Sequence, residues 1–310
     1  MCLKFKFFEM VGRRQLREKV VQTLYAYQQN PKSVDVVLKN MMKEISKIYD
    51  LYVYELNFLV AIHQLAEEQI EIGKRKYIKS EEEANPNLKF VENKVLLQII
   101  GNDERGEYTA NNKQLMWDTN DDLVVKTYQR IKAGKRYKDY MESAESSFEE
   151  DQKFIGKLFL RYVAENEDLH DLLEGKEMAW ADDVHIANSL IQKTIGFMKP
   201  EQESHTLIKI IKNYDDESFA KTLLAQTALN WDNTEKKLEE RLQNWDLERV
   251  SLMDKVILIT ALSEMDEFKL TPSSIIINEY IEIAKVFSSD KSNVFINGIL
   301  DKYAKDNSRI

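Results

Sequence analysis

An all-α protein is expected here, because residues that interrupt helices are scarce and apolar residues recur at helical spacing along most of the chain. The 310 residues include 9 Gly and 4 Pro, where average composition would supply roughly 22 and 16. Residues 33 to 78 carry apolar positions three and four apart, with no proline and no glycine before Gly73. That pattern belongs to a helix and argues against an all-β sandwich or barrel.

The elements follow in order. Leu16, Val20, Leu24 and Tyr27 fall on one stripe of a first helix that starts near Arg13 and ends near Asn30-Pro31. Ahead of it, residues 1 to 9 are expected to be loosely held, Met10 resembling a natural start. Residues 33 to 78 make one long helix or two in series, and Ser80 to Asn87 an exposed loop. Between Leu96 and Trp117 a short apolar run followed by a polar stretch reads as a strand and loop, or as a hinge. Helices are then expected over 122–140, 147–165, 180–198, 217–229 and 233–244, with Pro200 just beyond the third of these. The closing third is the most regular, with stripes over 254–265, 273–286 and 290–304. Thr271-Pro272 and Ser288-Ser289 suit helix starts, since a hydroxyl oxygen can accept from the free N–H groups of a first turn.

Composition excludes several kinds of function. With 44 basic and 53 acidic residues the net charge is −9, which opposes a uniformly basic nucleic-acid-coating surface but allows a local patch. No run reaches the roughly 18 apolar residues of a membrane span, and the N-terminus lacks a signal-peptide pattern, so a soluble cytoplasmic protein with no membrane partner is expected. The single cysteine, Cys2, allows no intrachain disulfide. His63, His170, His185 and His205 are scattered, with no metal-binding pair among them. Gly134-Lys135 lacks the glycine before and the hydroxyl after that a phosphate loop needs, and neither a dinucleotide fingerprint nor a nucleophile elbow occurs. Acid clusters such as Glu81-Glu82-Glu83 and Asp182-Asp183 suit a solvated face. No enzyme activity, cofactor or metal is expected.

Charge is segregated at the start. Lys4, Lys6, Arg13, Arg14, Arg17 and Lys19 face only Glu9 and Glu18 within residues 1 to 19. On a helix Arg13 and Arg17 share a face, Arg14 lies beside them, and Tyr25 projects in nearly the direction of Arg14 about three turns later. Arginine forks suit phosphate and a tyrosine ring can stack on an unpaired base, a combination fit for single-stranded RNA. The plainer reading stays open: cations solvating an amphipathic helix start, with Tyr25 in the core.

At the other end, Asn278-Glu279-Tyr280-Ile281-Glu282-Ile283-Ala284-Lys285 precedes a polar hinge and Phe295-Ile296-Asn297-Gly298-Ile299-Leu300-Asp301-Lys302. This pair resembles the carboxy-terminal signature of the transcription antitermination family NusB. Asp254 to Met265 looks like that family's preceding helix, and Arg13 to Tyr25 like its arginine-rich first helix. The matching stretches are 13–29 and about 217–305. Members are less than half as long, so the resemblance divides the chain into 1–34, an insertion 35–210, and 211–310.

The resemblance implies a non-catalytic RNA-binding adaptor that pairs with the ribosomal protein NusE, binds boxA elements of ribosomal RNA leaders and joins the RNA polymerase antitermination complex. It carries RNA contacts onto Arg13, Arg14, Arg17, Tyr25, Lys291 and Phe295, and the NusE surface onto Asp254. Phe295 could equally be core. Asn278 and Asn297 suit helix starts and turns, and Glu279, Glu282 and Lys285 a surface ion-pair set. Gln15, Ile259 and Ser263 depart from the family pattern, replacing arginine, arginine and tyrosine, which predicts weaker RNA binding. On this reading Arg14→Ala or Arg17→Ala lowers RNA affinity and leaves thermal stability nearly unchanged. The competing reading is a protein-interaction module that has lost RNA recognition, favoured if acids of the insertion tie up the three arginines. A relation to rRNA cytosine methyltransferases, which also carry such a domain, is opposed by the lack of a cofactor loop and of any cysteine beyond Cys2.

Overall fold

Every regular element among the described residues is a helix. The computed structural model describes residues 2–201, 207–209, 211, 213–242, 249–289 and 291–307, with side chains from Arg13 onward. Helix α1 (Cys2–Gln29) starts earlier than the Arg13 expected, and α2 (Val34–Arg75) is one helix rather than two. Of residues 1 to 9, Met1 and all the side chains lie outside the described residues, as do His205, Asn244 and Asp290. Two compact units divide the chain, residues 1–45 with 209–310, and residues 46–208, so the first boundary falls inside α2.

In the unit 46–208, α2 is buried on all sides from Leu51 to His63, the mark of a core helix rather than an amphipathic one. Polar side chains fix its neighbours: Asn57 Nδ2 donates to Thr109 Oγ1 and the Leu115 carbonyl, and Tyr52 and Thr194 hydroxyls lie 2.6 Å apart. The expected loop after α2 contains a single turn, α3 (Glu81–Ala84), closed by a reciprocal capping box between Ser80 and Glu83.

The strand or hinge expected after Leu96 is instead α4 (Lys94–Ile100) and α5 (Asp103–Asn111), followed by a 3₁₀ turn at Lys113–Leu115. Asn93 and Asn102 cap the two starts by accepting from free N–H groups, and Val95, Leu96 and Ile99 are buried while Leu97 is exposed, a helical period hidden in a run of six.

Gly134 splits the helix expected over 122–140 into α6 (Asp122–Ala133) and α7 (Lys135–Glu142). A Cβ at 134 would fall inside the envelope of the Tyr162 hydroxyl and 3.1 Å from the Ile131 carbonyl, so close approach selects glycine there. Gly134→Ala is expected to cost about 1–3 kcal/mol through this overpacking, read as a lower denaturation midpoint; an unchanged midpoint would show that Tyr162 swings away freely.

Helix α8 (Phe148–Phe159) runs into a π-helical turn, Leu160–Ala164, and α9 (Glu167–Lys176), which the sequence pattern did not suggest, precedes α10 (Met178–Phe197). Helix α10 packs on α8 and α9, α8 on α4, and the π turn on α6.

The other unit joins α1 to α11 (Tyr214–Leu229), α12 (Trp231–Glu239), α13 (Leu252–Glu267), α14 (Ser273–Phe287) and α15 (Ser292–Asp306). Helix α13 is its axis: Val256 to Met265 are all buried, and α1, α11, α12, α14 and α15 pack around it. Asn213 and Ser251 cap α11 and α13. The two expected start signals behave differently. Pro272 sits at the cap of α14 with no side-chain bond, its carbonyl accepting from Ile275 and Ile276, while the Ser288 and Ser289 hydroxyls turn to other side chains. Among the described residues no helix is long and apolar enough to cross a membrane.

Candidate nucleic-acid interface

Helix α1 packs on α11 and α13, which sets each of its arginines against a different acid. Arg13 Nε donates to Asp216 Oδ1 of α11 at 3.3 Å, and the guanidinium lies 5.1 Å from the centre of the Phe219 ring. Arg14 grips Glu279 of α14 with Nε and Nη2, at 2.7 and 2.8 Å. That hydrogen bond raises the Arg14 pKa further above its ordinary value, against the opposing effect of burial. Their side chains keep 38% and 32% of their surface exposed, whereas that of Glu279 keeps 4%. A guanidinium has five N–H donors. Arg14 commits two of these and Arg13 one to the acids named.

Arg17 departs from the expected open strip. It is buried, donating to Glu264 of α13 from Nε at 2.8 and 3.1 Å and from Nη2 at 2.6 Å, with Glu264 fully buried. Tyr280 Oη donates to the same carboxylate at 2.8 Å. Burial opposes the Arg17 charge, but the attraction and hydrogen bonds of Glu264 outweigh it and hold the group protonated. Burial, then the Glu264 charge, pushes the Tyr280 hydroxyl well above its ordinary pKa, so it remains a donor. Arg17 therefore ties α1 to α13 and α14, and its near-complete burial leaves little of it for a ligand.

Tyr25 is half-buried on α1, Lys291 is exposed at the start of α15, and Phe295 is half-buried one turn later. Asp254 holds the serines on either side of Lys291. It is 8% exposed, and its two carboxylate oxygens accept from Ser288 Oγ at 2.5 Å and Ser292 Oγ at 3.0 Å. The Ser289 hydroxyl lies 2.8 Å from that of Ser292. One carboxylate thus closes the α14–α15 connector immediately beside Lys291. Asn278 is exposed in mid-α14 and Asn297 half-buried in mid-α15, so neither begins a helix. Glu282 pairs with Lys285 at 2.6 Å as expected for a surface pair, while Glu279 is turned inward to Arg14.

The acids holding the three arginines, Asp216, Glu264 and Glu279, all come from the unit that contains α1, so none belongs to residues 35–210. Asp216, Glu264 and Tyr280 escaped the sequence reading because helical spacing reports neighbours three or four residues apart, not partners 16, 203 or 247 residues away, and the Phe219 ring beside Arg13 is as remote in the chain. Among the described residues no group of His, Cys, Asp or Glu is arranged to hold a metal ion.

A family model described as NusB family matches residues 182–305. The transcription antitermination protein NusB of Koribacter versatilis is 34% identical over 119 residues, 38% of this chain and 82% of that protein. The chain belongs to the NusB family. The protein of the same name from Natranaerobius thermophilus is 38% identical over 92 residues, 30% of this chain and 66% of that protein, and that of Salinibacter ruber 30% identical over 108 residues, 34% and 68% respectively. The chain thus spans about two thirds of these last two NusB proteins and is much longer than the stretches it shares with them, a long form. No solved structure gives a significant match. Within the NusB match, Ile259 and Ser263, two departures from the family pattern, are both buried in α13.

Proposed function

We propose that this chain is an RNA-binding transcription antitermination factor that acts with the ribosomal protein NusE on boxA-type single-stranded RNA of ribosomal RNA leaders, within the RNA polymerase antitermination complex. Supporting it are membership of a family whose relatives are named transcription antitermination proteins and one feature of the site: Arg13 and Arg14 are anchored by acids and still part-exposed. A fork held in place loses less rotamer freedom when it meets a phosphate.

In this reading residues 1–34 and 211–310 form the RNA-binding body and 35–210 are inserted between them. Arg13, Arg14 and Lys291 meet phosphates, and Tyr25 and Phe295 offer ring faces to unpaired bases. Arg17 acts by holding α1 in register. Asp254 contributes to the NusE surface by fixing the α14–α15 connector.

A gel-shift titration with boxA-like leader RNA, with and without NusE, tests the reading. Removing Arg14 or Lys291 as alanine is expected to weaken binding and reduce the salt dependence by about 0.7 in log–log slope per lost phosphate contact. Arg14→Ala also strands the buried Glu279 carboxylate, so Arg14→Ala with Glu279→Gln is the variant that separates RNA contact from stability. Unchanged affinity and slope in all three, with or without NusE, would overturn RNA recognition by this face and leave a protein-interaction module.

A further inference from the structure

Cations gather a second time in the unit 46–208, at residues that precede the stretch matched by the family model. Lys135 and Arg136 of α7, Lys153 and Lys157 of α8, and Arg161 of the π turn are all exposed. They line two adjoining clefts of about 300 and 540 Å³ that share Arg136, Lys157 and Tyr162. The acids of these clefts already have cations: Asp139 pairs with Lys135 at 2.8 Å, Glu150 with Lys89 at 2.9 Å, and Glu165 with Arg161 at 2.8 Å. No described carboxylate lies within ion-pair distance of Arg136, Lys153 or Lys157. In a chain of net charge −9 that leaves an uncompensated positive cleft, and Lys153 and Lys157, four apart on one helix, repel each other until an anion joins them.

The clefts also carry rings. Tyr137 and Tyr162 are part-exposed beside the cations. The wider ring of the π turn places Tyr162 and Arg161 on the cleft, with the Tyr162 hydroxyl seated against the Gly134 backbone where α6 meets α7. Buried Ile131, Phe154 and Leu158 floor the first cleft. Clustered cations, part-exposed tyrosine rings and an apolar floor together fit single-stranded nucleic acid better than an acidic peptide, which would use the cations and leave the rings idle.

We propose that this α7–α8 cleft is a second RNA-contact surface, binding phosphates through Arg136, Lys153 and Lys157 and stacking a base on Tyr162. It goes beyond the α1 reading and stands on different residues.

The test uses the full chain and two labelled single-stranded RNAs, one of boxA length and one roughly three times as long, the longer offering phosphates and bases to more than one surface. Lys153→Gln with Lys157→Gln is expected to lower the salt-dependence slope for the long RNA by about 1.4 and leave the short one unchanged. The charge-matched control, Lys94→Gln with Lys113→Gln at exposed sites of the same unit, is expected to leave both unchanged. Photo-crosslinking is expected to recover the peptide containing Tyr162. An unchanged slope for the long RNA, an equal loss in the control, or a cleft variant that loses binding to polyglutamate but not to RNA would overturn the proposal. If the cleft variant weakens RNA binding while Arg14→Ala does not, this surface stands and the α1 reading falls; the converse result keeps α1 and removes the cleft.

Discussion

Arg17→Ala is expected to destabilise the protein by about 3–5 kcal/mol, the usual cost of leaving a buried charge without its partner. The partner is Glu264, fully buried on the axial helix α13 and held by Arg17 through contacts of 2.6 to 3.1 Å. With the guanidinium gone, only the Tyr280 hydroxyl would face that carboxylate in the described network. The Arg17 guanidinium also lies 5.1 Å from the Phe219 ring centre, so packing is lost with the charge. This reverses what the sequence alone suggests, that Arg17 can be removed at little cost to stability. Arg17→Met with Glu264→Leu removes both charges together and is expected to recover most of the loss, because an apolar pair of similar volume avoids desolvating two ions. Urea denaturation of the single and double variants decides it: a double variant no more stable than Arg17→Ala would mean the ion pair itself, rather than the stranded charge, carries the energy.

The helices were legible because their determinants are local. The stripe through Leu16, Val20 and Leu24, the glycine-free run of α2 and the regular closing third each carry their own period, and the structure places helices there. Reading failed where a short segment depends on a cap. The buried face of α4 is one turn of a six-residue apolar run, indistinguishable from a strand until Asn93 is seen to cap it. At the break at Gly134 the close neighbour is Tyr162, a residue of another element. The site was half legible for the same reason. Sequence placed Arg13, Arg14 and Tyr25 along one helix, but exposure depends on what faces them, and the acids facing Arg13, Arg14 and Arg17 come from α11, α14 and α13. Nothing in the local pattern separates Arg14, part-exposed, from Arg17, sealed three residues later.

Glu55 supplies the second large effect, and it is a matter of pH. This carboxyl sits in the all-buried stretch of α2, fully buried, with Leu51, Tyr52, Phe58 and Leu59 one turn away on either side and also buried. Neither of its oxygens has a hydrogen-bond partner among the described residues. Burial pushes its pKa up from 4.5 to about 8. The folded state therefore keeps the proton over a range in which the unfolded chain has released it. Stability attached to the neutral carboxyl is complete below about pH 4.5 and declines as pH rises. At 1.36 kcal/mol per unit of pKa, about 3 kcal/mol is gone by pH 7 and about 5 kcal/mol above pH 8. Glu55→Gln, which cannot ionise, is expected to match the parent protein near pH 4.5 and exceed it by several kcal/mol at pH 8.5. Glu55→Met, which also removes the unpartnered polar atoms, is expected to be more stable than the parent at both. Urea midpoints for the three proteins across that range are the measurement. The many other carboxylates titrate in every one of them, so the difference between parent and Glu55→Gln isolates this group. Parallel pH profiles would mean that Glu55 is already ionised in the fold, with water or a cation reaching α2.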